Sequence, residues 1–268
     1  MLIINADDLG MTPGSNSAIF DGYDNGAITH TSIMANCDYF DNAMSDIAKR
    51  KELGLGVHLN LTYANALIPN TLYCNKNGIF NLGYLELLKN RDKQFLAAIE
   101  EELDAQITRV INALPPQRSL THLDSHRHIH MIPHIYKIVV KLAKKYNIKR
   151  VRLINENTLH SFMLTKRFNF LLNGGIIKYL LLRSFSAIDS RYANLYHGVK
   201  FYSILYTGVI GKDIIKKLQN ADETYEVMVH PSYPELDKNV HFYDEAEKAY
   251  RVSNDRKKEL EAVLSIKK

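Results

Sequence analysis

Residues 122–130 read "HLDSHRHIH", which puts four histidines and one aspartate within nine positions. Two periodicities compete for this stretch. His122, His126 and His130 are spaced i, i+4, as on a zinc-protease helix, but the glutamate of HExxH is missing. His122, Asp124, His126, His128 and His130 are also a strict alternation, with Leu123, Ile129 and Met131 on the opposite parity. On an extended chain, side chains two apart share a face, so the whole polar set would lie on one side for as long as the chain stays extended. Pro133 fits the first position of a following helix. The stretch is therefore expected to be a strand running into a loop, and a helix comes next.

The same order recurs outward from it. "LIINA" (2–6), "AITHTSIMAN" (27–36), "LGLGVHLNLT" (53–62), "SLTHLDSH" (119–126), "KRVRLIN" (149–155), "VKFYSILY" (199–206) and "YEVMVHP" (225–231) read as short strands. Helical patterns fall between them. Pro13 and Ser15 start one that Gly26 ends, and others cover 39–51, 92–114, 133–147, 158–185, 212–220 and 243–265. The segment 92–114 has the clearest helical spacing and stops at Pro115-Pro116. About seven strands with intervening helices predict an α/β fold, namely a TIM-barrel-like (β/α) barrel or a distorted version of one, as a single domain over 1–268. Alternation alone leaves a doubly wound sheet open. The polar stretch beginning "YANALIPNTLYCNKNGIFN" is too long for a simple connection in a compact domain, so 63–91 is expected to be a lid or substrate loop.

Composition narrows the function classes. With 46% hydrophobic and 24% charged residues the chain can bury a large core and is not disordered. A net charge of +5 with scattered Lys and Arg gives no basic stripe, so no nucleic-acid partner is expected. Cys37 and Cys74 make neither a disulfide framework nor a metal spacing, which suits a reducing cytoplasm. The start, "MLIINADD", brings two aspartates in too early for a signal peptide. The most apolar stretch, 168–185, is interrupted by Asn, Gly-Gly, Lys and Arg. It reads as a buried helix and turn, with some basic amphipathic surface, so no stable membrane insertion is expected.

Polar residues gather at strand ends: Asp7 and Asp8, His58, Asp124 and His126, Arg152, and His230. In a parallel barrel these ends open on one face, so residues far apart in sequence converge there. One such histidine alone is more often simply hydrogen-bonded. Asp8, His58 and His126 together make a one-carboxylate, two-imidazole set that can hold a divalent metal and leave positions open. Of the adjacent aspartates, one is suited to the metal and the other to standing beside a bound water as base, unless Asp7 merely caps the next helix. His122, His128 and His130 exceed what one metal needs, so they and Asp124 are read as substrate-contacting, ligand-supporting or purely structural residues. Arg152 is read as orienting a carboxylate, binding sugar or forming an ion pair.

Four segments, "INADDLGMTPGSNSAIFDGYDNGAITHTSIMAN" (4–36), "LGLGVHLNLT" (53–62), "THLDSHRHIHMIPHI" (121–135) and "EVMVHPSY" (226–233), resemble the YdjC-like carbohydrate deacetylases, which include chitooligosaccharide deacetylase. The likeness runs in order across nearly the whole chain and is weakest over 157–220. It implies a TIM-barrel-like fold, a divalent metal (customarily Mg²⁺; the ligand set also suits Zn²⁺) on Asp8, His58 and His126, and Asp7 as base. The implied reaction removes N-acetyl groups from acetylated amino sugars or oligosaccharides. His230 is the candidate acid for the leaving amine. Where the family commonly continues His-Pro-Gly, this chain has Ser232. Two rival readings are a phosphoesterase or amidohydrolase on a similar barrel, usually with a second metal, and a non-catalytic metal- or glycan-binding protein. A homodimer is compatible with all of these.

Overall fold

The protein is described from a computed structural model covering residues 1–165, 175–189, 199–205, 210–220 and 222–266. At its centre is a parallel strand, β1 (Leu2–Leu9), buried along nearly all its length. Burial on both faces is why this strand reads as a continuous apolar run until the aspartates. Around it, β2 (His30–Ile33), β3 (Gly54–Leu59), β4 (His122–Ser125), β5 (Lys200–Tyr202) and β6 (Tyr225–Val229) complete a curled six-stranded sheet in the order β4-β3-β2-β1-β6-β5. All five pairings are parallel. The C-terminal ends therefore point the same way, and β3 and β4 place His58 directly opposite Asp124.

Among the described residues the sheet has six strands where about seven were expected, a curled half-barrel in keeping with a distorted barrel. Residues 149–155 form no strand. Val151 makes a single bridge to Leu123, with Leu123 N–H donating to the Arg150 carbonyl and Arg152 N–H to the Leu123 carbonyl, each at 2.9 Å. Toward β5 the link is a side chain: Asn155 Nδ2 donates to the Val199 carbonyl at 3.2 Å, and Phe201 N–H donates to Asn155 Oδ1 at 2.8 Å. The segment thus lies between β4 and β5 without a ladder on either side. From this segment Arg150 and Arg152 both reach Glu226 of β6.

The helices follow their sequence signals. In α1 (Pro13–Asp24), Thr12 and Ser15 form a capping box and Pro13 opens the first turn. After α2 (Phe40–Ile47) and the short α3 (Tyr84–Lys89) comes α4 (Lys93–Ala113), capped by Asp92, whose carboxylate accepts from Gln94 and Phe95 N–H. Phe95, Ile99, Leu103, Ile107 and Val110 form its buried stripe. Each such side chain contributes roughly 1.5–3 kcal/mol on burial. The chain continues through α5 (Pro133–Lys145), α6 (Thr158–Thr165), α7 (Gly175–Asp189), α8 (Lys212–Gln219), α9 (Glu245–Arg251) and α10 (Asn254–Leu264). The expected helix over 158–185 is seen as α6 and α7, and the part of it at 166–174 lies outside the described residues. In α7, Ile177 and Leu180 face solvent while Tyr179 and Leu182 are buried. No described helix is long and apolar enough to cross a membrane.

The long stretch after β3 packs against the domain. Tyr73 and Cys74 are buried, and the Glu102 carboxylate of α4 accepts from Leu67 and Ile68 N–H at 3.1 and 2.7 Å.

Candidate metal centre

Two adjacent aspartates cannot aim alike from a regular strand. The structure resolves this with a bulge: the β1–β2 register runs Ala6 to Thr31 but Leu9 to Ile33, so one extra residue of β1 is accommodated at Asp7-Asp8. Asp8 takes φ 68°, the left-handed region that a non-glycine residue seldom occupies. Both carboxylates are thereby buried at the mouth of the sheet. The stretch 122–130 departs from a strand in a related way. It is extended only through Ser125, then tightens into a turn over His126–Met131 with Arg127 and His128 at φ 54° and 59°. Non-glycine residues in this region are a local strain that the surrounding packing must hold.

Asp8, His58 and His126 come together, with one potential ligand atom from each lying within 4.8 Å of the others. Asp8 Oδ1 is 3.1 Å from His58 Nε2 and 3.0 Å from His126 Nδ1. Behind His58, its Nδ1 is 2.8 Å from Asp124 Oδ1. Burial opposes a charge on His58, but the Asp124 and Asp8 carboxylates outweigh it and raise its pKa to about 10. Burial likewise opposes a charge on His126, and Glu247 and Asp8 raise it. For Asp8, burial is outweighed by Arg251 and His58, so its pKa stays well below the usual carboxylate range. An anionic carboxylate with two imidazoles held by carboxylates is the donor set of a divalent-cation site.

Asp7 faces the other way around the same centre. Its Oδ2 and Oδ1 accept from Arg152 Nη1 and Nη2 at 2.6 and 2.7 Å, and Asn5 Nδ2 donates to Oδ1 at 2.7 Å. Burial raises the Asp7 pKa against the pull of Arg152. Arg152 is itself fully buried and also reaches Asp124 Oδ2 and Glu226 Oε1, both at 2.7 Å. Asp7, His58 and Asp124 form a second metal-capable group. The Arg152 guanidinium already pairs with both carboxylates of that group.

His128 and His230 line the same cavity, of about 310 Å³, as Asp7, Asp8, His58 and His126. Each has a buried Nδ1 without a partner among the described residues, and burial holds both pKa values well below the usual imidazole value. His230 Nε2 is 3.9 Å from Asp8 Oδ2. His130 is turned away from the cavity: Ser125 Oγ pairs with its Nδ1, and its Nε2 donates to the Arg152 carbonyl at 3.1 Å, fixing the arginine's backbone. His122 lies inside the sheet, its Nδ1 2.8 Å from Thr121 Oγ1. Ser232, the departure at the expected glycine, is buried, and its hydroxyl donates to Asp237 Oδ2 at 2.9 Å. The same Asp237 accepts from Gly14 N–H and the Thr12 hydroxyl, so the serine ties its turn to the start of α1.

Besides Asn5, the sequence reading missed Ser32, Glu226, Glu247 and Arg251, which all touch this constellation. Ser32 Oγ donates to Asp124 Oδ2 at 2.9 Å, and Glu226 neutralises Arg152. A lone acid inside the apolar run "YEVMV" was a signal for the latter. Glu247 and Arg251 arrive from α9: Arg251 pairs with Asp8 Oδ2, and Glu247 Oε2 lies 3.5 Å from His126 Nε2. In sequence they look like an ordinary i, i+4 surface pair.

Residues 1–267 match the sequence model of the family described as YdjC-like protein. The chain belongs to that family. Among similar proteins, a carbohydrate deacetylase of Clostridium beijerinckii is 30% identical over 172 residues, 62% of this chain and 66% of that protein. A chitooligosaccharide deacetylase of Salmonella newport is 32% identical over 165 residues, 60% of this chain and 64% of that protein. The alignments thus span slightly less than two thirds of these relatives. Carbohydrate deacetylase 1 of Listeria innocua is 29% identical over 233 residues, 87% of this chain and 81% of that protein. A solved structure from Enterococcus faecalis V583, of a protein named for cellobiose-phosphate cleavage, matches with a TM-score of 0.65 at 23% identity, over 98% of this chain and 90% of that one. That likeness is one of fold.

Proposed function

We propose that this protein is a metal-dependent hydrolase that removes N-acetyl groups from acetylated amino sugars or their oligosaccharides. The observation that carries the reading is the convergence of Asp8, His58 and His126 on one cavity with a second, separately held carboxylate, Asp7, beside them. Family membership and the deacetylase names of its relatives support the substrate class. In this reading Asp8, His58 and His126 hold one divalent ion, Mg²⁺ or Zn²⁺. Such an ion supplies Lewis acidity and an activated water for attack on an amide carbonyl.

The other residues divide the remaining work. Asp7, aligned through both oxygens by Arg152, accepts the proton of the attacking water at Oδ2. Held neutral by burial, His230 has no proton to spare in the free site. As negative charge develops beside it, it would take a proton from solvent and deliver it to the nitrogen as the C–N bond breaks, while Asp7 returns the water's proton to solvent. His128 offers its unpartnered Nδ1 to the substrate. Asp124 keeps the His58 ring in position. Tyr63, at the start of the stretch 63–91 proposed as the substrate loop, packs its ring 5.9 Å from that of His126.

The two-metal phosphoesterase reading is less well supported, because the fixed guanidinium of Arg152 stands where a second ion would need Asp7 and Asp124. A purely binding role needs no base, and would leave Asp7 only the task of pairing with Arg152. Asp7→Asn tests both points: the variant is expected to keep one metal equivalent and lose acetate release by at least about 100-fold, the scale of general-base catalysis. Undiminished release would remove Asp7 as the base. A wild-type protein that binds metal but releases acetate from no acetylated sugar would favour the rivals.

A further inference from the structure

We propose that Glu247 of α9 is the residue that fixes His126 as a metal ligand, so that the ion is secured partly by a helix close to the end of the described chain. The inference rests on the metal reading above and adds a positioning residue to it. The two imidazoles are arranged alike about a single oxygen. His58 Nε2 and His126 Nδ1 both face Asp8 Oδ1, at 3.1 and 3.0 Å. These two nitrogens are the ones that can share an ion with Asp8. A coordinating imidazole nitrogen must present its lone pair, so the ring proton sits on the opposite nitrogen and needs an acceptor. For His58 that nitrogen is Nδ1, and Asp124 Oδ1 lies 2.8 Å from it. For His126 it is Nε2, and the nearest carboxylate oxygen is Glu247 Oε2 at 3.5 Å. His126 Nε2 is buried and makes no hydrogen bond among the described residues, and Glu247 Oε2 at 3.5 Å is the acceptor within reach.

Glu247 is held for this task. Its N–H donates to Asp244 Oδ1 at 2.6 Å in the first turn of α9, and its Oε1 accepts from Arg251 Nε at 2.7 Å. Arg251 in turn pairs with Asp8 Oδ2, leaving Oδ1 to the imidazoles. One turn of α9 therefore touches two of the three proposed ligands, Asp8 through the arginine and His126 through the glutamate. Glu247 is not itself a ligand in this arrangement, since the imidazole ring lies between it and the shared Asp8 oxygen, and the group within 4.8 Å does not include it. Losing the outer partner of a metal-bound histidine lowers metal affinity by roughly 10–100-fold.

The test is zinc titration by calorimetry of the full-length wild type and Glu247→Gln. A glutamine that keeps its oxygen on Arg251 presents an amide N–H₂ to His126 Nε2, which demands the opposite ring tautomer. Zinc binding weakened by about tenfold or more, with unchanged far-UV circular dichroism, is expected. A change below about fivefold would overturn the assignment. Should the variant not fold, ¹⁵N-histidine spectra of zinc-loaded wild type decide the matter. The proposal requires His126 to carry its proton on Nε2 and bind through Nδ1, and the reverse overturns it. Wild type that takes up neither zinc nor magnesium would overturn the metal reading along with it, whereas normal wild-type binding shared by the variant would overturn only the role of Glu247.

Discussion

Replacing Arg152 by methionine removes the one cation that three buried carboxylates share. Its guanidinium lies 2.6–2.7 Å from Asp7, Asp124 and Glu226 oxygens, and the side chain is fully buried. The partners do not lose equally. Glu226 keeps Arg150, and Asp124 keeps His58 and the Ser32 hydroxyl, but Asp7 keeps only the Asn5 amide within hydrogen-bonding distance. Breaking a buried pair by deleting one member costs about 3–5 kcal/mol, because the other charge stays buried without compensation. At about 2–4 °C per kcal/mol for a domain of this size, the midpoint of thermal unfolding should fall by about 6–20 °C. Guanidinium unfolding of metal-free protein gives the free energy directly. The same variant frees the Asp7 and Asp124 carboxylates of the second metal-capable group, so it should bind a further equivalent of zinc there, with release of the His58 Nδ1 proton if that nitrogen joins them, and regain part of the lost stability. A loss under about 1 kcal/mol, with one zinc in both proteins, would refute the view of Arg152 as the site's resident cation.

Two further outcomes follow from residues around the centre. Glu156 is buried, accepting from the Ser161 hydroxyl and from Ile204 N–H, and burial raises its pKa from 4.5 to about 7. A carboxylate raised on folding favours the folded state most below its unfolded pKa, and that contribution declines as pH rises toward the folded value. Between pH 5 and 8 the wild type should therefore lose about 2–3 kcal/mol relative to Glu156→Gln, read as the difference between their denaturant-derived stabilities at the two pH values; parallel profiles would contradict this. Gly56 leaves room for the His122 ring, since a Cβ there would lie 2.4 Å from it. Gly56→Ala should cost about 1–3 kcal/mol by overpacking, measured by equilibrium unfolding, and a neutral result would show that the histidine can move aside.

Strand ends were the legible part of this sequence. The apolar runs before Asp7-Asp8, His58, Asp124 and His230 are period-two or continuous patterns, and parallel strands carry their C-terminal residues to one face whatever the details of the sheet. That logic brings Asp8, His58 and His126 together before any coordinates are known. It does not show how two adjacent aspartates serve one site, because the bulge and the left-handed Asp8 depend on the register between β1 and β2. It also reads 149–155 as a strand, since a strand's propensity survives in a segment whose backbone makes only one bridge and whose arginines point inward. The polar alternation of 122–130 stops at Ser125, so His128 enters the cavity from a turn, and His130 instead holds the Arg152 backbone. Glu247 and Arg251 left no trace in spacing. More than a hundred residues separate them from His126, and only tertiary packing brings α9 to the site.

The most direct test is acetate release from N-acetylglucosamine oligosaccharides by metal-stripped protein, with Mg²⁺ and Zn²⁺ restored separately and His126→Ala alongside. The account predicts no release without metal, release when one of the two ions is restored, and none from the variant with either. Equal release from metal-stripped and metal-restored protein, or from His126→Ala, would contradict it.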